Sequence, residues 1–420
     1  MHPQETAGPP RRGGYGAVFA VPEFRALFAA HLLSLLGVVV GEIALSLLVY
    51  RLTGSPLLAA LTFALGFLPY AVAGTLLAGV ADRYPARRVL VVCDLLCAGC
   101  AAAMVLPGVP VAGLLALRCL TALVAPVFTG TRAASLGDIL GEGDLFVLGR
   151  SLIRIVSQAA QLAGFAAGGL LIAALSPRGA LGVTVVTFLG SALLLRLGTR
   201  RRPARGGGAG PVLRSSLSGT GALLADRRIR ALLLLFWLPP LFVVAPEALA
   251  APYADAVGAG PAALGLLMCG MPVGAVTGEL LAGAALGPRG RSRIVLPLAA
   301  VSLLPLLGFA LRPSPGWALP LLALAGSGMA YTLGLDRWFV DAVPEELRGR
   351  AMTLLTAGLM TIQGLGMALA GFAAEFAPAH AVVAGAGALG TACALLAVRE
   401  VRRSAPRPGE SDRAQELRQG

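Results

Sequence analysis

Long apolar runs, each closed by a short polar break, make up almost the whole chain. About 20 apolar residues cross a bilayer as a helix. The pattern predicts helices over 24–50, 57–80, 89–106, 111–133, 151–175 and 181–197. A polar stretch, 198–228, separates these from six more over 230–253, 262–286, 294–311, 316–336, 351–374 and 379–398. The alternating segments of about ten residues that a membrane β-barrel needs do not occur. The reading is an all-α polytopic membrane protein with twelve transmembrane helices. It comprises a flexible N-terminal tail (1–22), a six-helix bundle (23–197), a linker (198–228), a second six-helix bundle (229–398) and a flexible C-terminal tail (399–420).

Composition narrows the class. The 420 residues are 57% hydrophobic and 13% charged, about half the charge of a soluble domain. That excludes a soluble multidomain protein, and 55 glycines suit closely packed membrane helices. The net charge of +13 comes entirely from arginine, with no lysine. These arginines sit in the breaks between apolar runs, which argues against a nucleic-acid partner. One side receives Arg11, Arg12, Arg83, Arg87, Arg88, the 200–230 cluster, Arg289, Arg291, Arg293, Arg348, Arg350 and the tail; the other receives Arg51, Arg178 and Arg312. The positive-inside rule then puts both termini in the cytoplasm and the protein in the cytoplasmic membrane.

The chain repeats itself with a period of about 205 residues. Phe24-Arg25-Ala26-Leu27 matches Ile229-Arg230-Ala231-Leu232, Glu42 falls on Glu247, Pro56 on Pro261 and Arg132 on Arg337. Gly74 to Ala81 matches Gly278 to Ala285 at an offset one residue shorter. Two homologous six-helix halves place a substrate path at their interface near the bilayer midplane.

Residues 78–88, Ala-Gly-Val-Ala-Asp-Arg-Tyr-Pro-Ala-Arg-Arg, follow the second helix. They resemble the loop signature of the major facilitator superfamily, Gly-x-Leu-Ala-Asp-Arg-x-Gly-Arg-Arg. Ala78 and Pro85 replace two of its glycines, and Leu286 to Arg293 form a worn second copy without the Asp. Leu52 to Pro56 and Val343 to Arg350 look like loops of the drug-efflux-like branch, and Arg118 stands where the family often has a helix-four arginine. Gly164 to Gly169 is similar to an antiporter motif but lacks its proline; it tilts the reading slightly toward export, and small-residue packing is the favoured explanation. The resemblance implies the two-bundle major facilitator fold and transport by alternating access. It also implies a gating motif at Asp82, Arg83, Arg87 and Arg88.

Ionisable residues inside membrane helices are costly and mark functional sites by default. Glu42 and Arg118 lie roughly 10 Å below the outer surface at 1.5 Å per residue. They read either as a proton-coupling or cation-binding pair, or as a structural ion pair. Glu247, the repeat mate of Glu42, follows Pro246 and lies beyond Pro239-Pro240, so a broken helix is expected there. Glu279 completes the proton-coupling candidates. Asp94, Arg154 and Arg132 share a depth near the cytoplasmic boundary and read as an inner-gate cluster with Asp82. His31, eleven residues before Glu42, lies on the same helix face and reads as a relay or a packed histidine. Tyr70, Phe128, Gln158, Gln161, Phe236, Trp237 and Gln363 are substrate-cavity candidates. Cys93, Cys97 and Cys100 share a face, but no second cluster completes a metal site, and no disulfide is expected.

No phosphate-binding loop, nucleophile elbow or zinc spacing occurs, so neither an ATP motor nor an enzyme is expected. The leading reading is a proton-coupled exporter of a small amphipathic or apolar compound, a drug or secondary metabolite. It needs no cofactor beyond the proton gradient and works as a monomer in contact with the lipid bilayer and its small-molecule substrate. The alternatives are a solute importer of the same fold and a non-transporting sensor or scaffold.

Overall fold

The computed structural model describes residues 15–76, 83–141, 144–203, 221 and 223–404. Among these there is no strand. The first half consists of α1 (Pro22–Thr53), α2 (Pro56–Leu76), α3 (Ala86–Val105), α4 (Val111–Leu140), α5 (Asp144–Leu175) and α6 (Pro177–Gly198). The second half begins with α7, in three pieces (Arg227–Val243, Ala245–Ala248, Ala250–Ala256), and α8 (Pro261–Ala285). Then come α9 (Pro288–Val301, continued by a 3-10 segment Leu304–Leu311) and α10 (Pro315–Ser327, 3-10 Gly328–Tyr331, Thr332–Ala342). α11 (Arg348–Ala373) and α12 (Ala379–Arg403) close the chain. Among the described residues 11 helices are long and apolar enough to cross a membrane; Pro56–Pro69 is a shorter apolar segment.

Local chemistry sets these boundaries. Proline opens α1, α6, α8, α9 and the first piece of α10, where its missing N–H costs nothing and its φ is already helical. Gly54 ends α1 at φ 68°, with its N–H on the Tyr50 carbonyl, a left-handed cap that L side chains resist. In α7 the break falls later than Pro239-Pro240, which remain inside the first piece. It lies at Val244 and Leu249, so it brackets Glu247, and Pro246 opens the short middle piece. Both tails are shorter than the sequence predicts. Tyr15–Phe19 is helical, with Val18 fully buried, and α12 runs to Arg403.

The two halves share one hydrophobic core at one end of the bundle only. There Val39 to Val49, Phe63, Phe165 and Ile172 pack with Ala245 to Ala254, Leu264, Met268 and Met367. At the opposite end each half has a core of its own, around Phe24, Leu27 and Leu90 in the first and around Phe236, Tyr331 and Phe339 in the second. The shared end carries Ser55 and Glu375, and the divided end carries Arg87 and Thr199. We call them the Glu375 end and the Arg87 end.

Contact between the halves runs through α2 against α11 and α5 against α8. Glycine makes it possible: a Cβ on Gly169 would lie 2.8 Å from the Gly265 Cα, and one on Gly371 would lie 2.5 Å from the Ala60 Cβ. Glu375 also reaches across. Its Oε1 accepts hydrogen bonds from the Ser55 hydroxyl and, at 3.0 Å, from the Leu57 N–H, so a carboxylate of the second half caps the N-terminus of α2. Tyr50 and Asp255, of opposite halves, line a common pocket at this end.

Candidate functional site

The larger site is a cavity of about 330 Å³. Its lining comes from α1, α2, α3, α4 and α6, with Met360 of α11 as the contribution of the second half. Five ionisable side chains face it: His31, Glu42, Asp94, Arg118 and Arg132. Apolar groups such as Leu35, Phe67, Met104, Phe128, Leu181 and Phe188 fill the remaining wall. The cavity is therefore amphipathic.

Its charged groups form two clusters. In the first, the Arg118 Nη2 pairs with the Glu42 Oε1, and its Nε donates to the Thr62 carbonyl at 3.0 Å. Gly66 clears the space for this guanidinium, because a Cβ there would lie 2.1 Å from Nη2. The second cluster is built on Asp94, 1% exposed. It accepts hydrogen bonds from Ser34 Oγ at 3.2 Å and Ser191 Oγ at 2.5 Å, tying α3 to α1 and α6. His31 Nδ1 meets the Arg132 Nη1, while its Nε2 lies 2.7 Å from Ser157 Oγ. The Arg132 guanidinium also stacks over the Phe128 ring at 5.0 Å.

A smaller cavity of about 160 Å³ lies between the halves. Glu247 lines it with Gln161 and Phe165 of α5, Gln363 of α11, and Met268, Met271 and Met329. The two repeat-related glutamates thus face inward, but into separate cavities.

Several predicted cavity residues lie elsewhere. Phe236 is buried in the core of the second half, edge-on to Phe339 with ring centroids 5.8 Å apart. Trp237 packs on α11 at Gly358 and donates its indole N–H to the Leu355 carbonyl at 3.1 Å. Both fill gaps between α7 and its neighbours in place of a cavity wall. Gln158 and Glu279 are exposed and outside both cavities. The Tyr70 and Arg154 side chains lie outside the described residues. Sequence reasoning missed Ser34, Ser191, Thr62 and Met360. Of these only Ser34 carried a signal, one helical turn from His31. Cys93 and Cys97 line the larger cavity, all six cysteines are free thiols, and no metal-binding group of three ligands occurs among the described residues.

The sequence model of the Major Facilitator Superfamily matches residues 27–335 and again 241–419. The chain belongs to the major facilitator superfamily. It is thus an integral membrane protein of transporter type. No curated protein matches it. Among solved structures it is similar to the nucleoside transporter NupG, with TM-score 0.71 and 13% identity over 91% of this chain and 100% of that one. It is also similar to a peptide transporter POT in complex with alafosfalin, with TM-score 0.70 and 14% identity over 92% and 97%. For the POT family transporter PepTSo the values are 0.69 and 13% over 91% and 97%. At these identities the likeness concerns the fold alone.

The superfamily loop signature falls at the Arg87 end. Asp82 lies outside the described residues. Arg83 and Arg88 are exposed, and the Arg87 Nη1 donates to the Thr199 carbonyl at 3.2 Å, tying α3 to the end of α6. The antiporter-like stretch packs on two sides. Gly164 and Gly168 receive Val39 and Ile43 of α1, while Gly169 meets Gly265 of the other half. Close packing accounts for these glycines without an appeal to antiport.

Proposed function

We propose that the protein is a proton-coupled secondary transporter of the drug-efflux-like branch, exporting a small amphipathic compound across the cytoplasmic membrane by alternating access. In this reading twelve spans place both termini in the cytoplasm, and the chain works as a monomer. The observation that carries the proposal is the Glu42–Arg118 ion pair inside a large amphipathic cavity that α11 of the other half helps to close. In the resting state Arg118 holds the Glu42 carboxylate by an ion pair. A proton arriving from the outer side neutralises Glu42 and frees the guanidinium. Loss of the pair changes the balance of contacts between α1 and α4, and so the relative stability of states open to either side. The shared core at the Glu375 end and the divided cores at the Arg87 end correspond to a cytoplasm-facing state.

The test is flux in proteoliposomes with an imposed pH gradient of either sign, using lipophilic dyes, amines, nucleosides and dipeptides. Glu42→Gln is expected to abolish the dependence of flux on the gradient; unchanged dependence sinks the proton role. A second reading, import of a polar solute, is favoured by one observation. Five ionisable groups converge on the larger cavity, more than an apolar cargo requires. Accumulation of a dipeptide or nucleoside down an inward proton gradient, with no dye extrusion, decides for it.

A further inference from the structure

Three cysteines of α3 follow one another at helical spacing, and the larger cavity sorts them. Cys93 and Cys97 line it, whereas Cys100 is buried off its wall. At i and i+4 the first two stand one above the other on one helix face, with about 5–6 Å between their Cβ atoms. A disulfide needs about 3.5–4.5 Å between them, so a regular helix keeps the pair reduced, and both are free thiols. Two reduced sulfurs thus open side by side onto a cavity of about 330 Å³.

Nothing around them completes a metal site. Among the described residues no three His, Cys, Asp or Glu side chains are grouped to hold a metal ion. Asp94, next to Cys93 in the chain, has its two carboxylate oxygens taken by the Ser34 and Ser191 hydroxyls. A soft centre that asks the protein for only two ligands is a different case. Trivalent arsenic in an organic arsenical makes three bonds, one of them already to carbon, and the other two go to thiol sulfur, a soft ligand. Two arsenic–sulfur bonds in series also span a gap that a single sulfur–sulfur bond does not. The carbon group has room and apolar company. A cavity of about 150 Å³ already holds benzene, and here Leu35, Met104, Val124 and Phe128 share the wall with the two cysteines.

We propose that Cys93 and Cys97 form a dithiol site, open to the larger cavity, that captures trivalent organic arsenicals. In the step, both thiols condense with an arsonous acid, R–As(OH)2. Two sulfur–arsenic bonds form, two arsenic–oxygen bonds break, and each thiol proton leaves with a hydroxide as water. Arsenic stays trivalent, so no oxidant or reductant takes part. The organic group then occupies the cavity.

The probe is phenylarsine oxide, which hydrates to the phenyl form of that acid, added to the purified full-length protein in detergent and read by intact mass. Wild type is expected to gain one phenylarsenic group per chain. It should hold the group against about 1 mM 2-mercaptoethanol and release it to dithiothreitol at the same concentration, because the second sulfur closes within the molecule at an effective concentration in the millimolar range or above. Cys93→Ser and Cys97→Ser should each lose the group at a roughly hundredfold lower concentration of the monothiol, and Cys100→Ser should behave as wild type. Cys93 packs on Val127 of α4; if its serine variant does not fold, Cys93→Ala takes its place. No adduct on wild type, release by the monothiol as easily as by the dithiol, or full retention by either of the first two variants overturns the proposal. So does loss of the adduct in Cys100→Ser, which would move the site off the cavity wall to Cys97 and Cys100. No gradient or cargo enters the measurement, so its outcome is independent of the proton-coupled reading.

Discussion

Glu42 and Glu247 occupy the same position in the two copies of the duplicated unit, yet their surroundings have diverged. Glu42 sits on an unbroken α1 and is held by Arg118, with Gly66 making room for the guanidinium. Glu247 sits between two breaks in α7, in a cavity lined by glutamines and methionines and by no arginine. Arg132 and its mate Arg337 have parted in the same way. The first faces the cavity with His31, and the second is exposed and 3.7 Å from Asp341 on its own helix. Duplication fixed where an acid would stand. The surroundings differ: Glu42 is held by Arg118, and no such arginine lines the cavity of Glu247.

The largest effect is expected from removing the balance on the Glu42 side. Arg118→Leu leaves an uncompensated acid in the cavity and should cost about 3–5 kcal/mol, read as a drop in thermal stability of the detergent-solubilised protein. Adding Glu42→Gln should recover much of it, and a double-mutant coupling near zero would mean the pair is idle. If Glu247→Gln alone costs as much as Arg118→Leu, the contrast between the two acids is wrong.

A smaller change addresses positioning. Gly66→Ala puts a methyl group where the guanidinium now lies. The end of a long side chain can move, so the cost should be about 1–3 kcal/mol, accompanied by weaker dependence of flux on the pH gradient. Normal coupling would show that the geometry of the pair is not what matters.

The smallest effect concerns the closed end, where the asymmetry continues. α2 is capped by Glu375 of the other half, while α8 begins at Gly260 with no side-chain cap. Glu375→Ala should cost about 1 kcal/mol, the usual value of an N-cap. That shifts the population open at this end by about fivefold. Pulsed electron resonance between spin labels at the exposed positions 52 and 376, in a background without native cysteines, reads the distance. An unchanged distribution would remove the cap from the gating scheme.

Legibility differed by kind of residue. Helix positions, the repeat and the charged residues that belong inside were readable, because a charge or a proline in an apolar run has few places to go. The aromatic residues were not. Phe236 and Trp237 look like cavity residues in a helix that is apolar all round, but they fill the core of the second half. In a membrane helix the lipid face and the packed face are equally apolar, so periodicity carries no sign of which way a ring points. Partners of charges were also hidden. Nothing in the order of residues says that Ser191 of α6 meets Asp94 of α3, or that Glu375 reaches the first turn of α2.

By itself the sequence determined that this chain lives in a membrane, that it repeats itself with a period of about 205 residues, and which few positions carry charge within the apolar runs. These follow from solvation, which acts on each residue according to its own chemistry. Only the tertiary structure decided which charges meet, that the two glutamates face different cavities, and that the halves are joined at one end. Those outcomes depend on how helices far apart in the chain approach one another, and close approach is set by pairs of surfaces that no single stretch of sequence contains.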